Sequence, residues 1–337
     1  MFSALLLSVT SLAHAGDKPA EKADDKPKPE VEVGGMIFAH YGMNLTDGAE
    51  NFNEFAIDRA YLTAKAKITP HLGARLTLDA DRMKPVETDT GAFTYDTKYR
   101  IFLKHAYLEW KDFAPGMKVR AGMTDTPYQP MADQFWDHRY VEKGLADEQG
   151  LVSTSDLGIS IGGTHAKGLV DWTAGVYNGE GYSKIEVDSG KSIEARLTID
   201  PLARGEKFQL PLTGFVDYHM NQDADPTITY VGAAGFKMPY VWVWGEYLGK
   251  SQGDVNGSGF SAALLPGVPK VGRVIFRYDH WDPSTDTDKD ATDKIVGGVS
   301  HNFTDKIALA ATYERVTAEA APDAPGHGIF LHLQAGF

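Results

Sequence analysis

Three stretches of the sequence contain residue types that could do covalent or metal chemistry. Gly158-Ile159-Ser160-Ile161-Gly162 has the G-x-S-x-G form of a nucleophile elbow, which exposes its serine only on a strand-to-helix turn. Here Leu157, Ile159 and Ile161 alternate along a strand pattern and no helical period follows, so Ser160 is read as a strand residue. Asp286-Thr287-Asp288-Lys289-Asp290 has the opening of a calcium loop, yet position six is Ala291 and no glutamate closes it. Asp286, Asp288 and Asp290 are therefore read as an exposed acidic loop, with binding of divalent ions left open. The 11 histidines never form H-E-x-x-H, and with 0 cysteines there is no thiol nucleophile, disulfide or Fe–S ligand. No catalytic residue and no cofactor are expected.

The other chemically capable residues are charges recurring every second position. Arg59 and Lys65, Arg75 and Asp79, Glu109, and Lys118 and Arg120 each share a parity with other polar residues, while the opposite parity is apolar. Over 55–68, Ala60, Leu62, Ala64, Ala66 and Ile68 oppose Arg59, Tyr61, Thr63, Lys65 and Lys67; stretches 72–81, 117–124, 192–199 and 306–314 repeat the pattern. Period two is the signature of half-apolar strands, here of a length that can cross a bilayer at a tilt.

Breaking the chain at Gly, Pro, Asn and Asp clusters gives sixteen strands, starting near 31, 54, 72, 100, 117, 156, 169, 191, 208, 227, 239, 257, 271, 294, 305 and 327. Their connections sort into two sets. The short set includes 69–71, 111–116, 166–168, 237–239 and 303–305; the long set includes 83–99, 125–155, 178–191, 249–258, 282–293 and 317–326. A soluble β-sandwich has no reason to sort its loops by side, whereas outer-membrane barrels do. The fold expected is all-β, a transmembrane antiparallel β-barrel of about 16 strands with the third long loop folded inward. An Arg or Lys facing lipid near the midplane would cost about 2–4 kcal/mol, which explains a charge-free parity. The polar parity then lines a lumen wide enough for water. Trp242, Trp244 and Trp281 suit interfacial girdles, although the first two share a parity with Glu246.

Composition fits this reading once it is split by face. The 337 residues are 42% hydrophobic with a formal charge of −13, and a mean hydropathy of −0.30 averages an apolar wall with a charged one. Beyond the extreme N-terminus no uncharged apolar run reaches the length of a membrane helix, and the acidic balance argues against a nucleic-acid partner. Residues 1–15, with Leu5-Leu6-Leu7-Ser8-Val9 before Ala13-His14-Ala15, read as a secretory signal. Residues 16–30 are a mixed-charge Lys/Pro/Ala stretch read as a disordered periplasmic tail, leaving 31–337 for the barrel.

Asp58-Arg59-Ala60-Tyr61-Leu62-Thr63-Ala64-Lys65-Ala66-Lys67-Ile68-Thr69, Leu72–Asp79, Lys104–Trp110, Val119–Met123 with Thr126-Pro127-Tyr128, and Arg277–Pro283 resemble the phosphate-selective porin O and P family, most strongly over 54–128 and 271–337. The resemblance implies a homotrimeric outer-membrane porin of a Gram-negative bacterium whose third long loop narrows the pore. It also gives a meaning to the alternating strand that closes on Phe337, which looks like the signal read by the outer-membrane assembly machinery. Lipid and lipopolysaccharide would be its surroundings. Loop 125–155 carries Asp133, Asp137, Arg139 and Lys143, facing Arg59, Lys65, Arg75, Asp79, Glu109, Lys118 and Arg120 on the wall. Either a transverse field between basic wall and acidic loop, or plain solvation of a wet interior, accounts for these charges. Where the family often has Lys before Thr-Pro, this chain has Asp125. The function expected is passive diffusion of small hydrophilic solutes or ions, anions such as phosphate among them; a surface adhesin or receptor, or an outer-membrane enzyme, are the alternatives.

Overall fold

The computed structural model describes residues 29–48, 52–82, 86–87, 93–94, 98–186, 188–203 and 207–337. The signal-peptide reading and most of the tail reading lie outside these residues. Sixteen strands form one closed barrel: β1 (Glu30–Asn44), β2 (Asn53–Lys67), β3 (Leu72–Arg82), β4 (Tyr99–Lys111), β5 (Met117–Asp125), β6 (Ser155–His165), β7 (Val170–Tyr177), β8 (Lys191–Ile199), β9 (Leu212–Met220), β10 (Thr227–Met238), β11 (Val241–Gln252), β12 (Val255–Val268), β13 (Gly272–Asp282), β14 (Thr292–Asn302), β15 (Ile307–Ala318) and β16 (Gly326–Gly336). Each pairs antiparallel with its sequence neighbour, and β1 pairs with β16 to close the ring. No described helix is long and apolar enough to cross a membrane.

Strand starts fall within two residues of expectation except the ninth, expected at 208 and found at Leu212. There Asp200 Oδ1 accepts the amides of Leu202 and Leu210, each at 2.9 Å, and Pro211, which has no amide to give a ladder, precedes the strand. The expected long loop 249–258 is also corrected. β11 and β12 pair down to Gln252 and Val255, joined by a two-residue turn in which Gly253 takes φ +56°. A Gly-Asp pair is itself hairpin chemistry, so the signal was present.

Two β-bulges rephase the alternation. Phe38 pairs with Arg59 but Ala39 with Ile57, leaving Asp58 extra; Thr77 pairs with His105 but Leu78 with Leu103, leaving Lys104 extra. Phe55 and Ile57 before the first bulge thereby share the outer face with Leu62 after it, as Ile101 does with Leu108 and Trp110 across the second. In exchange, Asp58-Arg59 and Lys104-His105 are adjacent pairs that both reach the lumen. Trp242, Trp244 and Trp281 all lie on the inner parity, with Trp244 and Trp281 buried, so none belongs to a girdle. Ser160 sits mid-strand opposite Arg120, not on a turn.

Closure is finished at the last residue. Gly35 and Phe337 exchange backbone hydrogen bonds of 3.2 and 3.1 Å, and the Phe337 ring lies over Gly35, where a Cβ would come within 2.2 Å of it. Along β3, Leu76 faces outward and Thr77 inward. Leu76→Arg is expected to lower folding stability in vesicles by about 2–4 kcal/mol, read from urea titration, whereas Thr77→Ser costs well under that.

Candidate functional site

The loop between β5 and β6, residues 126–154, carries two helices, α1 (Gln129–Trp136) and α2 (Leu145–Glu148). A loop this long orders only if it can bury apolar surface, and it does so against inward residues of β9 to β15. Met131, Ala132, Phe135 and Trp136 of α1 and Leu145 and Ala146 of α2 join one buried cluster with Phe215, Val231, Trp244, Leu248, Leu265 and Ile275. Phe135 stacks on Trp244 at 5.6 Å between centroids, and Tyr128 meets Phe215 at 5.4 Å.

Polar anchors fix the register. Arg196 of β8 donates to Pro127 O at 2.7 Å. Glu246 of β11 accepts from the Tyr128 hydroxyl and from Leu145 N, the latter at 3.1 Å. Arg277 of β13, held by Asp279, donates to Lys143 O at 2.6 Å. Lys294 of β14 binds Glu142. His138 is buried: its Nδ1–H donates to Trp136 O at 3.2 Å, so Nε2 accepts from Ser300 Oγ at 2.9 Å. Burial, with Arg273 and Lys237 nearby, pushes the His138 imidazole down to about 4 despite the Trp136 bond.

The loop leaves two charged cavities along β1 to β5. Below, toward the short turns, lies a cavity of about 490 Å³ with Lys65, Arg75, Thr77, Lys104, His105 and Asp125 in its wall. Above, toward the long loops, lies one of about 310 Å³ with His40, Asp58, Asp81, Glu148 and Glu314. Phe38 and Arg139 line both and so mark the narrows between them.

Most of the charges expected in the lumen are paired. Arg59 bonds Asp79 at 3.0 Å and Asp81 at 2.7 Å. Arg75 and Arg120 meet Asp125 at 3.7 and 2.7 Å, His105 bonds the same carboxylate at 2.7 Å, and Arg120 also bonds Glu109 at 2.7 Å. Asp125, the departure from the family pattern, is thus surrounded by bases. Within the loop Arg139 bonds Asp147 at 2.7 Å and Asp133 at 3.4 Å, with Lys143 at 3.9 Å from Asp147. Burial pushes both carboxyls up; it prevails at Asp133, while at Asp147 the cations Arg139 and Lys143 outweigh it and hold the group below its ordinary range. Lys65 and Lys118 form no ion pair among the described residues. Lys118 lines a different recess, beside Arg196 and Asp171, and Asp137 sits on the far side of the loop with His138 and Arg273.

Several residues that build this site were not singled out by parity. Lys104 and His105 enter through a bulge, whose trace in the sequence is two adjacent polar residues inside an alternating strand. Tyr182, in the loop 178–190, reaches into the lumen and donates to the fully buried Asp79 at 2.8 Å, so a second loop contributes to the path. Lys104 lies 4.8 and 4.9 Å from the Tyr61 and Tyr182 ring centroids. Asp286, Asp288 and Asp290 do not converge. Among the described residues only Glu180, Glu186 and Asp188 bring three possible ligand atoms within 4.8 Å of one another, and Glu186 is already bound by Lys191 at 3.0 Å.

No family model matches the sequence, and no curated protein matches it. Solved structures do. The chain is similar to an anion-selective porin from Comamonas acidovorans (TM-score 0.63, 12% identity, covering 92% of this chain and 100% of that one). It is also similar to OmpF of Salmonella typhi (0.66, 10%, 91% and 97%) and OprB of Pseudomonas putida (0.65, 8%, 91% and 94%). The fold is therefore that of the outer-membrane porins.

The anchors make two predictions. Glu246→Leu strands the Tyr128 hydroxyl and the Leu145 amide, costing about 1–3 kcal/mol for each buried group left unmade, and should raise the protease sensitivity of the loop. His138 binds its proton less well when the loop is docked than when it is free, so docking is strongest above the ordinary imidazole pKa. It is lost as pH falls from about 6.5 toward about 4. Protease sensitivity of the loop should rise over that window, and His138→Gln should flatten the dependence.

Proposed function

We propose that the chain is an outer-membrane porin of a Gram-negative bacterium, a passive channel for small hydrophilic solutes. The observation that carries this reading is the pair of charged cavities inside the barrel. Inside a closed barrel with an apolar outer wall, a docked loop leaves two charged cavities, one on either side of Arg139 and Phe38, which line both. Charged walls solvate ions and polar solutes that an apolar interior would exclude. No step in such a passage requires a nucleophile, a metal or a cofactor, and no residue is assigned a catalytic role.

Anion passage, phosphate included, is supported by Lys65, Arg75 and Lys104 in the lower cavity, where Lys65 has no described carboxylate partner. The bases around Asp125 offset the acidic residue at that position. Homotrimer assembly is proposed on the resemblance and on the shared fold, and the paired Phe337 end is the surface that assembly machinery would read while the strand is still free.

Planar-bilayer recording of purified protein tests this. Conductance should appear in triplets of equal steps, and Arg139→Ala should enlarge each step by removing one of the two side chains common to both cavities. Lys65→Glu should shift the reversal potential toward cations. A protein that inserts but stays silent would overturn the channel reading.

A further inference from the structure

We propose that the lumen is bipolar along its axis, acidic on the long-loop side and basic on the short-turn side, and that it favours solutes carrying both an ammonium and a carboxylate. The inference rests on the channel reading and adds a substrate class to it.

Lining residues of the upper cavity include five carboxylates, Asp58, Asp81, Glu142, Glu148 and Glu314, against Arg59, Arg139 and Lys143. Lys294, which reaches Glu142 and Glu314 from β14, reduces this excess without cancelling it. Below the narrows the acidic excess is gone: apart from Arg139, which lines both cavities, the lower one sets Lys65, Arg75 and Lys104 against Glu32, Asp125 and Asp133. The sign reverses in the recess beneath it, at the short-turn rim, where Lys65, Lys67, Arg75, Lys111 and Arg120 stand against Glu30, Glu32 and Glu109. The order is axial because the strands are. Asp58 and Lys65 lie seven residues apart on β2, about 23 Å of strand.

Opposite fixed charges in series produce a field along the path, in low-dielectric walls that focus it. A zwitterion is turned by that field so that its ammonium trails in the acidic half while its carboxylate leads into the basic half. A pure anion must first cross the acidic half, and a pure cation must leave through the basic one. Small ions show the same asymmetry as rectification. With the long-loop side positive, cations and anions are both drawn from their preferred halves toward the narrows, carriers accumulate and conductance rises. With the sign reversed both are withdrawn. A purely transverse field has no axial sign and leaves the current symmetric.

The test uses the intact protein with Ala320→Cys in a long loop as the sole thiol, so that a bulky thiol reagent added to one chamber reports orientation. In about 0.01 M KCl, where screening reaches roughly 30 Å, current should be larger with the long-loop side positive by roughly 1.5-fold or more; in 1 M KCl, where it reaches about 3 Å, the ratio should fall to unity. The triple variant Asp58→Asn, Glu148→Gln, Glu314→Gln should remove the rectification while still conducting. In vesicle-swelling assays γ-aminobutyrate should enter faster than butyrate or butyramide, and in the triple variant butyrate should overtake it. Symmetric current through conducting wild-type channels in dilute salt overturns bipolarity but leaves the porin standing. Rectification unchanged in the triple variant overturns the residues assigned, and butyrate entering the wild type faster overturns the substrate class. Absence of any conductance overturns the porin reading as well.

Discussion

The constraint on which everything else depends is that a strand facing hydrocarbon has no water to satisfy its backbone. Each unpaired amide or carbonyl would cost several kcal/mol, so the sheet must close on itself. β1 meets that demand by pairing with β2 on one side and β16 on the other, down to the Gly35 and Phe337 pair. Once the ring is shut, every side chain has one of two addresses, lipid or lumen. The apolar parity can hold no charge near the midplane, and the chain's ionic residues are left with the interior and the rims.

The interior is not uniformly wet. Against β9 to β15 the 126–154 loop forms a packed core of the kind found inside soluble proteins, including Leu248, Leu265 and Ile275 at essentially zero exposure. Against β1 to β5 it leaves cavities with charged walls. The interior is thus packed like a globular domain on one side and lined by charge on the other, and the buried anchors Glu246 of β11 and Arg277 of β13 hold the loop on the packed side. Removing one partner of such a contact is costly because the other stays desolvated. The path is consequently defined by the loop's docking more than by the number of strands.

This division explains what the sequence could and could not reveal. Strands along the wet side, such as 55–68 and 72–81, alternate plainly because one face meets lipid and the other meets water, and here the expected luminal residues Arg59, Arg75 and Arg120 do face inward. On the dry side both faces are apolar: Ala262-Ala263-Leu264-Leu265 puts Ala263 and Leu265 in the core and Leu264 outside. Period two fades there for the same reason that the loop can dock, and parity alone could not show that Trp281 is internal. Partner identities across the lumen, such as Tyr182 with Asp79 or Tyr128 with Glu246, join positions more than a hundred residues apart. No local pattern encodes such pairs. In 249–258 the Gly and Asp residues signal a tight hairpin as readily as a long loop, and the structure has the hairpin.

The bulges at Asp58 and Lys104 have a consequence best put in terms of reading frame. A strand in this wall is a two-letter text in which odd and even positions mean outside and inside, and one added residue shifts the frame for all that follows on that strand. Asp58 and Lys104 are such insertions, tolerated because the next turn resets the frame. Losing either residue would leave composition almost untouched while exchanging the faces of half a strand, sending Phe55 and Ile57, or Ile101 and Leu103, into water. In this architecture a single-residue deletion is therefore a graver change than most substitutions, and the two places where the frame shifts are also where the lumen acquires two neighbouring polar side chains from one strand.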